Sequence, residues 1–522
     1  MGAESKVILS SIILVLWLSP LSSAEDVTVT VKSVTHIATT DDNFVCATLD
    51  WWPEDKCDYG QCPWGRAGIL NLDLDNTILS NAIKAFNPLR IRVGGSLQDQ
   101  VVYKINWPGG LYCPQFKKTA DGRFGFSQGC LDQDRWDQII HFLNKTGAVV
   151  TFGLNALYGK SRSEYDKNTY VGVWNPWHAH HLMKYTAEKG YKIDSYELGN
   201  ELSGSGVSGR EDAERYGKDM IMLKKIVNSI WYPDPSNRPK ILGPGGFYDQ
   251  QWFQTLLEVT GPGVIDVLTH HIYNLGPGVD RNLINKVQDP YFLDQVAQTY
   301  ADVKETVARF GPGTKAWVGE SGGAYNSGSK DVSHTFADGF WYLDQLGMTS
   351  TFDHKVFCRQ SLIGGNYGLL NTMTFIPNPD YYGALLWHRL MGKNVLSITH
   401  FGSPKLRAYA HCSKQKPGVT MLLINMSNST SFNVSVTNDL NLYPDLKNLG
   451  GGQKREEYYL TPKDGNIQSD VVLLNGTPLQ LTESQDIPEM KPKLVDPSTP
   501  ITIAPDSFVF VTIRDFNAPA CA

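Results

Sequence analysis

Short apolar runs, several closed by glycine, recur along the first two thirds of the chain with helical stretches between them. Phe44 to Asp50 is the first run and leads into the aromatic pair Trp51-Trp52. Leu89 to Gly95, Ala148 to Leu154 and Tyr196 to Glu201 follow, then Lys240 to Pro244, Ile265 to Tyr273, Lys315 to Glu320 and Lys355 to Gln360. Helical periodicity marks Trp136 to Leu143, Glu211 to Ile230 and Tyr291 to Phe310. Strand and helix in regular alternation predict an α/β chain, a (β/α)8 TIM barrel with enlarged loops over residues 44–390. Beyond about Asn394 the pattern changes to short alternating segments separated by Gly, Pro and Asn: Leu406 to His411, Val419 to Asn425, Phe432 to Val436, Val471 to Leu474 and Ser507 to Ile513. These predict an accessory antiparallel β-sandwich over residues 391–522. Val27 to Val34 alternates but has no helix partner, so residues 25–43 are assigned to the same sandwich.

Two of the predicted barrel strands end in acid. Tyr196-Glu197-Leu198-Gly199-Asn200-Glu201 closes the fourth, and strand alternation puts Glu197, Gly199 and Glu201 on one face. Carboxylates on one face of a core strand are costly unless that face is polar and functional. Lys315 to Ser321 closes the seventh with Gly319-Glu320. Glu201 and Glu320 are therefore both expected at the C-terminal mouth of the barrel, where this fold carries its chemistry. A pair of carboxyl groups facing one another there is the arrangement of a glycosidase.

Composition narrows the partners. A net charge of −6 argues against nucleic acid as a partner, and 24 Tyr with 13 Trp supply the flat surfaces on which sugars stack. Residues 1–24 read as a signal peptide: Lys6, the apolar run from Val7 to Leu18, then the small residues Ser22-Ser23-Ala24. That run is too short for a membrane span, and no later one reaches spanning length. Asn144, Asn425, Asn428, Asn433 and Asn475 each begin a glycosylation sequon, and three of them crowd Asn425 to Asn433 into what reads as an exposed, glycosylated edge. Eight cysteines in a secretory chain favour disulfides over metal ligands. Cys57 with Cys62 and Cys113 with Cys130 flank loops, while Cys358 lies in an apolar run and reads as a free, buried thiol.

Other motifs carry less. Gly204-Ser205-Gly206-Val207-Ser208-Gly209 is a literal G-x-G-x-x-G, but the next strand ends Gly243-Pro244-Gly245-Gly246, without the acid a dinucleotide site needs. It reads as a loop beside the mouth, and no cofactor is expected. His178, His180 and His181 follow the helix-start signal Trp174-Asn175-Pro176 and read as helix decoration, so no metal is expected either. His270 and His271 lie on one strand and point to opposite faces, which leaves one of them for the mouth.

Asn200-Glu201, the stretch Thr269-His270-His271-Ile272-Tyr273, Gly319-Glu320-Ser321 and Gly364-Gly365-Asn366-Tyr367 together resemble glycoside hydrolase family 79, nearest to the plant heparanase-like β-glucuronidases. The resemblance runs from about Val27 to the end. It implies a retaining β-glucuronidase with Glu201 as acid/base and Glu320 as nucleophile, with Asn200 on the sugar 2-hydroxyl and Tyr273 orienting Glu320. It places the uronic carboxylate on Tyr367 and on backbone N–H groups of the turn after the seventh strand. Animal heparanases have a glycine run in that turn; here it is Tyr325-Asn326-Ser327-Gly328. It further implies a bridge between Cys412 and Cys521. Heparanases that cut sulfated polymers carry basic runs at two places where this chain has Cys130 to Asp134 and Gly246 to Gln251, neither with a Lys or Arg. The expected activity is exo-acting release of terminal glucuronic acid, with the loop from Trp107 to Cys130 closing one end of the cleft. The alternatives are an endo-acting, heparanase-type enzyme and a non-catalytic glycan-binding relative. A monomer in the secretory pathway is expected, at the cell wall or in a vacuole or lysosome.

Overall fold

The computed structural model describes residues 24–106, 112–415, 417–439 and 454–522. The signal-peptide reading, apart from Ala24, lies outside the described residues, as do residues 107–111 of the loop after the second strand. Eight parallel strands close into a barrel in chain order: Val45–Leu49, Arg90–Val93, Val149–Leu154, Ser195–Leu198, Lys240–Phe247, Val267–Ile272, Lys315–Ser321 and Phe357–Arg359. Helices pack outside it, among them Gln133–Thr146, Trp177–Glu188, Ala213–Ile230, Gln250–Thr260 and Ala297–Phe310. The first shows how locally the sequence codes for them. Asp132 caps its N-terminus by accepting from the Arg135 N–H, and Gly147 ends it at φ 72°. Trp136, Ile139, Ile140 and Leu143 form its buried stripe. The stretch Tyr291 to Phe310 is two helices, not one, because Asp289 caps a separate short turn at Pro290–Asp294.

The accessory unit is a single twelve-stranded sheet wrapped around a core of its own that includes Val29, Val31, Met421, Leu423, Val434 and Val511. It is antiparallel with one departure. The strand Glu25–Lys32 runs parallel to Phe432–Asn438 and antiparallel to Met391–Thr399, so it is inserted between two strands from late in the chain. Strand Val419–Asn425 is buried at every position because both its faces are covered. Val419, Met421 and Leu423 enter the sheet's core, while Leu422 and Ile424 join the core of the barrel side. Phe508 on the neighbouring strand makes the same contact, stacked on Phe336 at 4.6 Å and edge-on to Phe340 at 4.7 Å.

Four disulfides are present: Cys46–Cys358, Cys57–Cys62, Cys113–Cys130 and Cys412–Cys521. Cys358 is thus not a free thiol. Cys46 and Cys358 are register partners on the first and eighth strands, which barrel closure makes neighbours. One sequon also needs correction. Asn425 is fully buried, and its Nδ2 donates to the carbonyls of Thr430 and Ala504, both at 2.8 Å, so it does not offer an amide to a glycan. Asn144, Asn428 and Asn475 are exposed and Asn433 is partly so. The Asn475 amide is nonetheless held by the carbonyls of Glu457 and Lys491.

Because buried Phe508 carries ring contacts from the sheet to Phe336 and Phe340 on the barrel side, Phe508→Ala should destabilise the folded chain by about 3–5 kcal/mol. Denaturant unfolding measures this, and a loss under about 1 kcal/mol would mean the interface rests elsewhere.

Candidate active site

The site is built around Arg92, on the second strand. Its side chain is 1% exposed and donates in three directions: Nε to Glu197 Oε2 (2.6 Å), one Nη to Glu320 Oε2 (2.8 Å) and the other to Asn200 Oδ1 (2.8 Å). Burial alone would ease the proton off Arg92, but the charges of Glu197 and Glu320 outweigh it and raise its pKa. A planar guanidinium with donors in fixed directions is the side chain that can hold three acceptors at once.

Glu197 points inward from the fourth strand, but Glu201 does not reach the mouth by alternation. The strand ends at Leu198, and Gly199 (φ 72°) and Glu201 (φ 55°) turn the chain instead. A left-handed glutamate costs on the order of 1–3 kcal/mol, so the surroundings must hold it. They do so through the fifth strand, whose Gly245 carbonyl accepts from the Glu201 N–H at 2.7 Å. Glycine is required there. A Cβ on Gly245 would lie 3.0 Å from the Glu197 carboxyl, and one on Gly246 would lie 3.2 Å from Glu201 Cα and 2.5 Å from Ser203 Oγ.

Glu320 lies across the mouth. The register between the sixth and seventh strands slips at Gly319, so that His271 pairs with Glu320 and not with Gly319. That slip gathers the site: His271 Nδ1 is 3.1 Å from Glu201 Oε1, and the Tyr273 hydroxyl donates to Glu320 Oε1 at 2.7 Å. Carboxylate oxygens of Glu201 and Glu320 and a ring nitrogen of His271 all lie within 4.8 Å of one another. Burial would raise the pKa of Glu320, yet His271, Arg92 and the Tyr273 hydroxyl together bring it below the ordinary glutamate value. Glu320 is therefore an oriented carboxylate with both oxygens held. His270 faces the other way, as strand alternation requires, and meets His354 at 2.9 Å outside the barrel.

Asn200 presents one end of its amide. Oδ1 is taken by Arg92, while buried Nδ2 has no protein partner among the described residues. A cavity of about 380 Å³ opens over the two glutamates, walled by Trp52, Phe124, Phe247, Tyr273 and Tyr367. Tyr325, Asn326 and Ser327 line the same cavity. Asn326 (φ 56°) and Ser327 (φ 70°) form a left-handed turn, pinned by Trp64 Nε1 to Ser327 Oγ (2.9 Å) and by the Asn366 N–H to the Ser327 carbonyl (2.7 Å). The structure thus gathers Asn200, Glu201, His271, Tyr273, Glu320, Tyr325, Asn326, Ser327 and Tyr367 at one mouth. The G-x-G-x-x-G stretch contributes Val207 to the wall and is otherwise a loop. His178 is buried against Tyr103 and Tyr158, away from His180 and His181, so the three histidines do not converge.

Arg92 and Asp50 are the residues that sequence reasoning passed over; Glu197 was placed on the functional face, but its pairing with Arg92 was not foreseen. A signal existed for Arg92, since two arginines at alternate positions of a core strand demand acid partners. Asp50, at the end of the first strand, accepts from Gln360 Nε2 (3.0 Å) and the Trp51 N–H (2.6 Å). Burial, with the charge of Glu320 added, pushes its pKa up to about 7 against the pull of Gln360, Trp51 and Arg92.

Two carboxyl groups facing each other at the C-terminal end of a closed parallel barrel, each held by its own partner, make this a glycoside hydrolase site. The chain belongs to glycosyl hydrolase family 79: residues 26–347 match the model of that family's N-terminal domain. It is 48% identical to heparanase-like protein 2 of Arabidopsis thaliana, over the whole of both chains. It is 43% identical to the baicalin-β-D-glucuronidase of Scutellaria baicalensis, covering 93% of this chain and 92% of that one. Its fold is similar to that of a 4-O-α-L-rhamnosyl-β-D-glucuronidase from Fusarium oxysporum, with a TM-score of 0.65 at 16% identity over 93% of this chain and all of that one. Among the described residues no helix is long and apolar enough to cross a membrane.

Two predictions follow from the geometry. Arg92→Lys replaces a three-way fork with a point charge that cannot reach all three buried acceptors, so it should lower stability by about 3–5 kcal/mol and activity at least about a hundredfold. Chemical denaturation and steady-state kinetics measure the two; an active, stable variant would show that the fork is dispensable. Asp50 supplies the second. Its folded pKa stands above its unfolded one, so its contribution to stability is full below the unfolded value of 3.8 and is lost as pH rises through about 7. Asp50→Asn cannot ionise, so its Tm should fall less steeply than that of the wild type between pH 4 and pH 8. Parallel Tm–pH curves would show that folding does not raise the Asp50 pKa.

Proposed function

We propose that the chain is a retaining exo-β-glucuronidase that releases terminal glucuronic acid from glycans or small glucuronides. The observation that carries the reading is the separation of the two carboxylates. Oxygens within 4.8 Å of each other suit direct attack and covalent capture, and leave no room for the water that an inverting pair must hold between acid and base. Glu320, kept ionised by His271 and Arg92 and oriented by Tyr273, attacks the anomeric carbon. Glu201 gives its proton to the departing glycosidic oxygen, and the glycosyl ester of Glu320 forms. Glu201, now a carboxylate beside His271, takes a proton from water as that water attacks the same carbon, freeing the sugar with its configuration retained. Asn200 Nδ2 is the donor for the 2-hydroxyl, where hydrogen bonds strengthen as the oxocarbenium ion develops. Tyr367 and the turn at Tyr325, Asn326 and Ser327 receive the C5 carboxylate.

Exo action is supported by the shape and charge of the mouth. A heparanase-type cleft would need a row of Lys and Arg along several sugars. The cations around Lys405 and Arg407 are not free to form one: Arg407 is committed to Asp344 (2.8 Å) and Asp294 (2.6 Å), and Lys405 donates to the Gln288 carbonyl. Four disulfides suit an oxidising compartment, and the secretory pathway, leading to the wall or a vacuole, is the proposed location.

Glu320→Gln should abolish turnover of every substrate, and Glu201→Ala should spare only substrates whose leaving groups depart unaided, with azide restoring those. Azide rescue of Glu320→Ala with an inverted product, and none for Glu201→Ala, would exchange the roles. The wild type should release glucuronic acid from an aryl glucuronide and leave heparan sulfate uncut; rapid shortening of the polymer would contradict exo action.

A further inference from the structure

The cavity that would take a uronic acid is itself acidic. Its wall carries Asp58, Glu201 and Glu320, and among the described residues lining it Lys56 is the one with a cationic side chain. Arg92 lies behind the wall and is already shared among three acceptors. Lys56 stands on the loop after the first barrel strand, where the chain is braced twice. Asp58 and Gln61 exchange both backbone hydrogen bonds (2.8 and 2.9 Å) around Tyr59 (φ 52°) and Gly60 (φ 79°), which makes a two-residue hairpin turn. The Cys57–Cys62 disulfide then clamps its flanks. The Lys56 ammonium lies 4.5 Å from the centroid of the Trp52 ring and 2.6 Å from Asp58 Oδ1, and its side chain is only 16% exposed.

The link to the rest of the wall runs through Asp58. Its second oxygen, Oδ2, accepts from the Ser327 hydroxyl, and Ser327 belongs to the left-handed turn that packs beside Tyr367 in the cavity wall. One acid thus joins the ammonium to the turn on which the proposed function seats the sugar's carboxylate. An ammonium has three N–H donors, and Asp58 uses one. Without Lys56, Asp58 would present an unbalanced negative charge beside an incoming carboxylate.

We propose that Lys56 is a specificity-determining residue: its ammonium, shared with Asp58, pairs with the C5 carboxylate of the sugar in the cavity and so selects uronic acids over neutral hexoses. This inference rests on the glucuronidase reading. It assigns to a side chain on the disulfide-clamped hairpin a task that Tyr367 and backbone N–H groups would otherwise carry without any full charge.

The test compares p-nitrophenyl β-glucuronide with its C5 carboxamide, which has the same shape and no charge, on wild type, Lys56→Met, Lys56→Arg and Asp58→Asn. For Lys56→Met, KM on the glucuronide should rise about tenfold or more relative to the carboxamide, with kcat less affected, as expected when a charge-assisted contact common to ground and transition states is lost. Lys56→Arg should recover most of that loss. Asp58→Asn, which leaves the ammonium undivided, should lower KM for the glucuronide. Equal losses on both substrates, or a raised glucuronide KM in Asp58→Asn, would overturn the inference; the second variant decides the matter if Lys56→Met does not fold. A wild type that cleaves glucuronides while Lys56→Met keeps the wild-type preference sinks this inference alone. A wild type that cleaves no glucuronide sinks the functional reading together with it.

Discussion

Arg92 holds three acceptors from two other strands and the turn beyond one of them, and most of the site follows from that. Taking a guanidinium and two carboxylates out of water costs several kcal/mol per ion, recovered only when geometry is close to ideal. The second strand must therefore stand at one height relative to the fourth and the seventh. Glu197 balances part of the charge, Glu320 is left ionised and aimed, and Asn200 has its amide fixed with Nδ2 outward. The neighbouring glycines are consequences of the same crowding. Gly319 lies with its Cβ position 3.3 Å from Glu197 Oε1, and a Cβ on Gly95 would fall 2.3 Å from Asp50 Oδ2. A side chain at Gly319 would crowd a group that Arg92 holds, and one at Gly95 would displace Asp50.

The strand–helix rhythm was legible because a parallel barrel strand is buried on both faces and so appears as an uninterrupted apolar run. Glu201 and Glu320 were legible because each breaks such a run at its C-terminal end. Their partners were not. Arg92 is more than a hundred residues from Glu197 and Glu320 is farther still, and a one-dimensional pattern holds no record of which strands closure brings together. Cys358 fails for the same reason: its partner Cys46 lies on the strand that meets it only when the barrel closes. Alternation was misleading at Glu201, because two left-handed residues replace the strand just before the mouth. The sequon at Asn425 misled in a different way, since a motif specifies residue types and not whether the amide is already buried and bonded.

The two halves of the molecule divide the work. The sheet holds both ends of the described residues, with Glu25–Lys32 paired on both edges and Cys521 bridged to Cys412, and it meets the barrel through Phe508 and its neighbours on the flank, not at the mouth. The mouth is shaped by the βα loops alone. Of these, the clamped hairpin that carries Lys56 and the turn through Ser327 are tied to each other by Asp58. Rigid loops on a rigid barrel leave little reorganisation to be done when a sugar binds, which is the condition under which fixed charges contribute most to a transition state.

The central claim is that Glu320 forms a covalent bond to the sugar while Glu201 stands close on the other side of the scissile bond. Proton NMR of an aryl β-glucuronide, followed from the first minute after enzyme is added, tests it most directly. The account predicts that the β-anomer of glucuronic acid appears first and that the α-anomer grows in only as the free sugar mutarotates. First appearance of the α-anomer would mean a single displacement by water, and would contradict it.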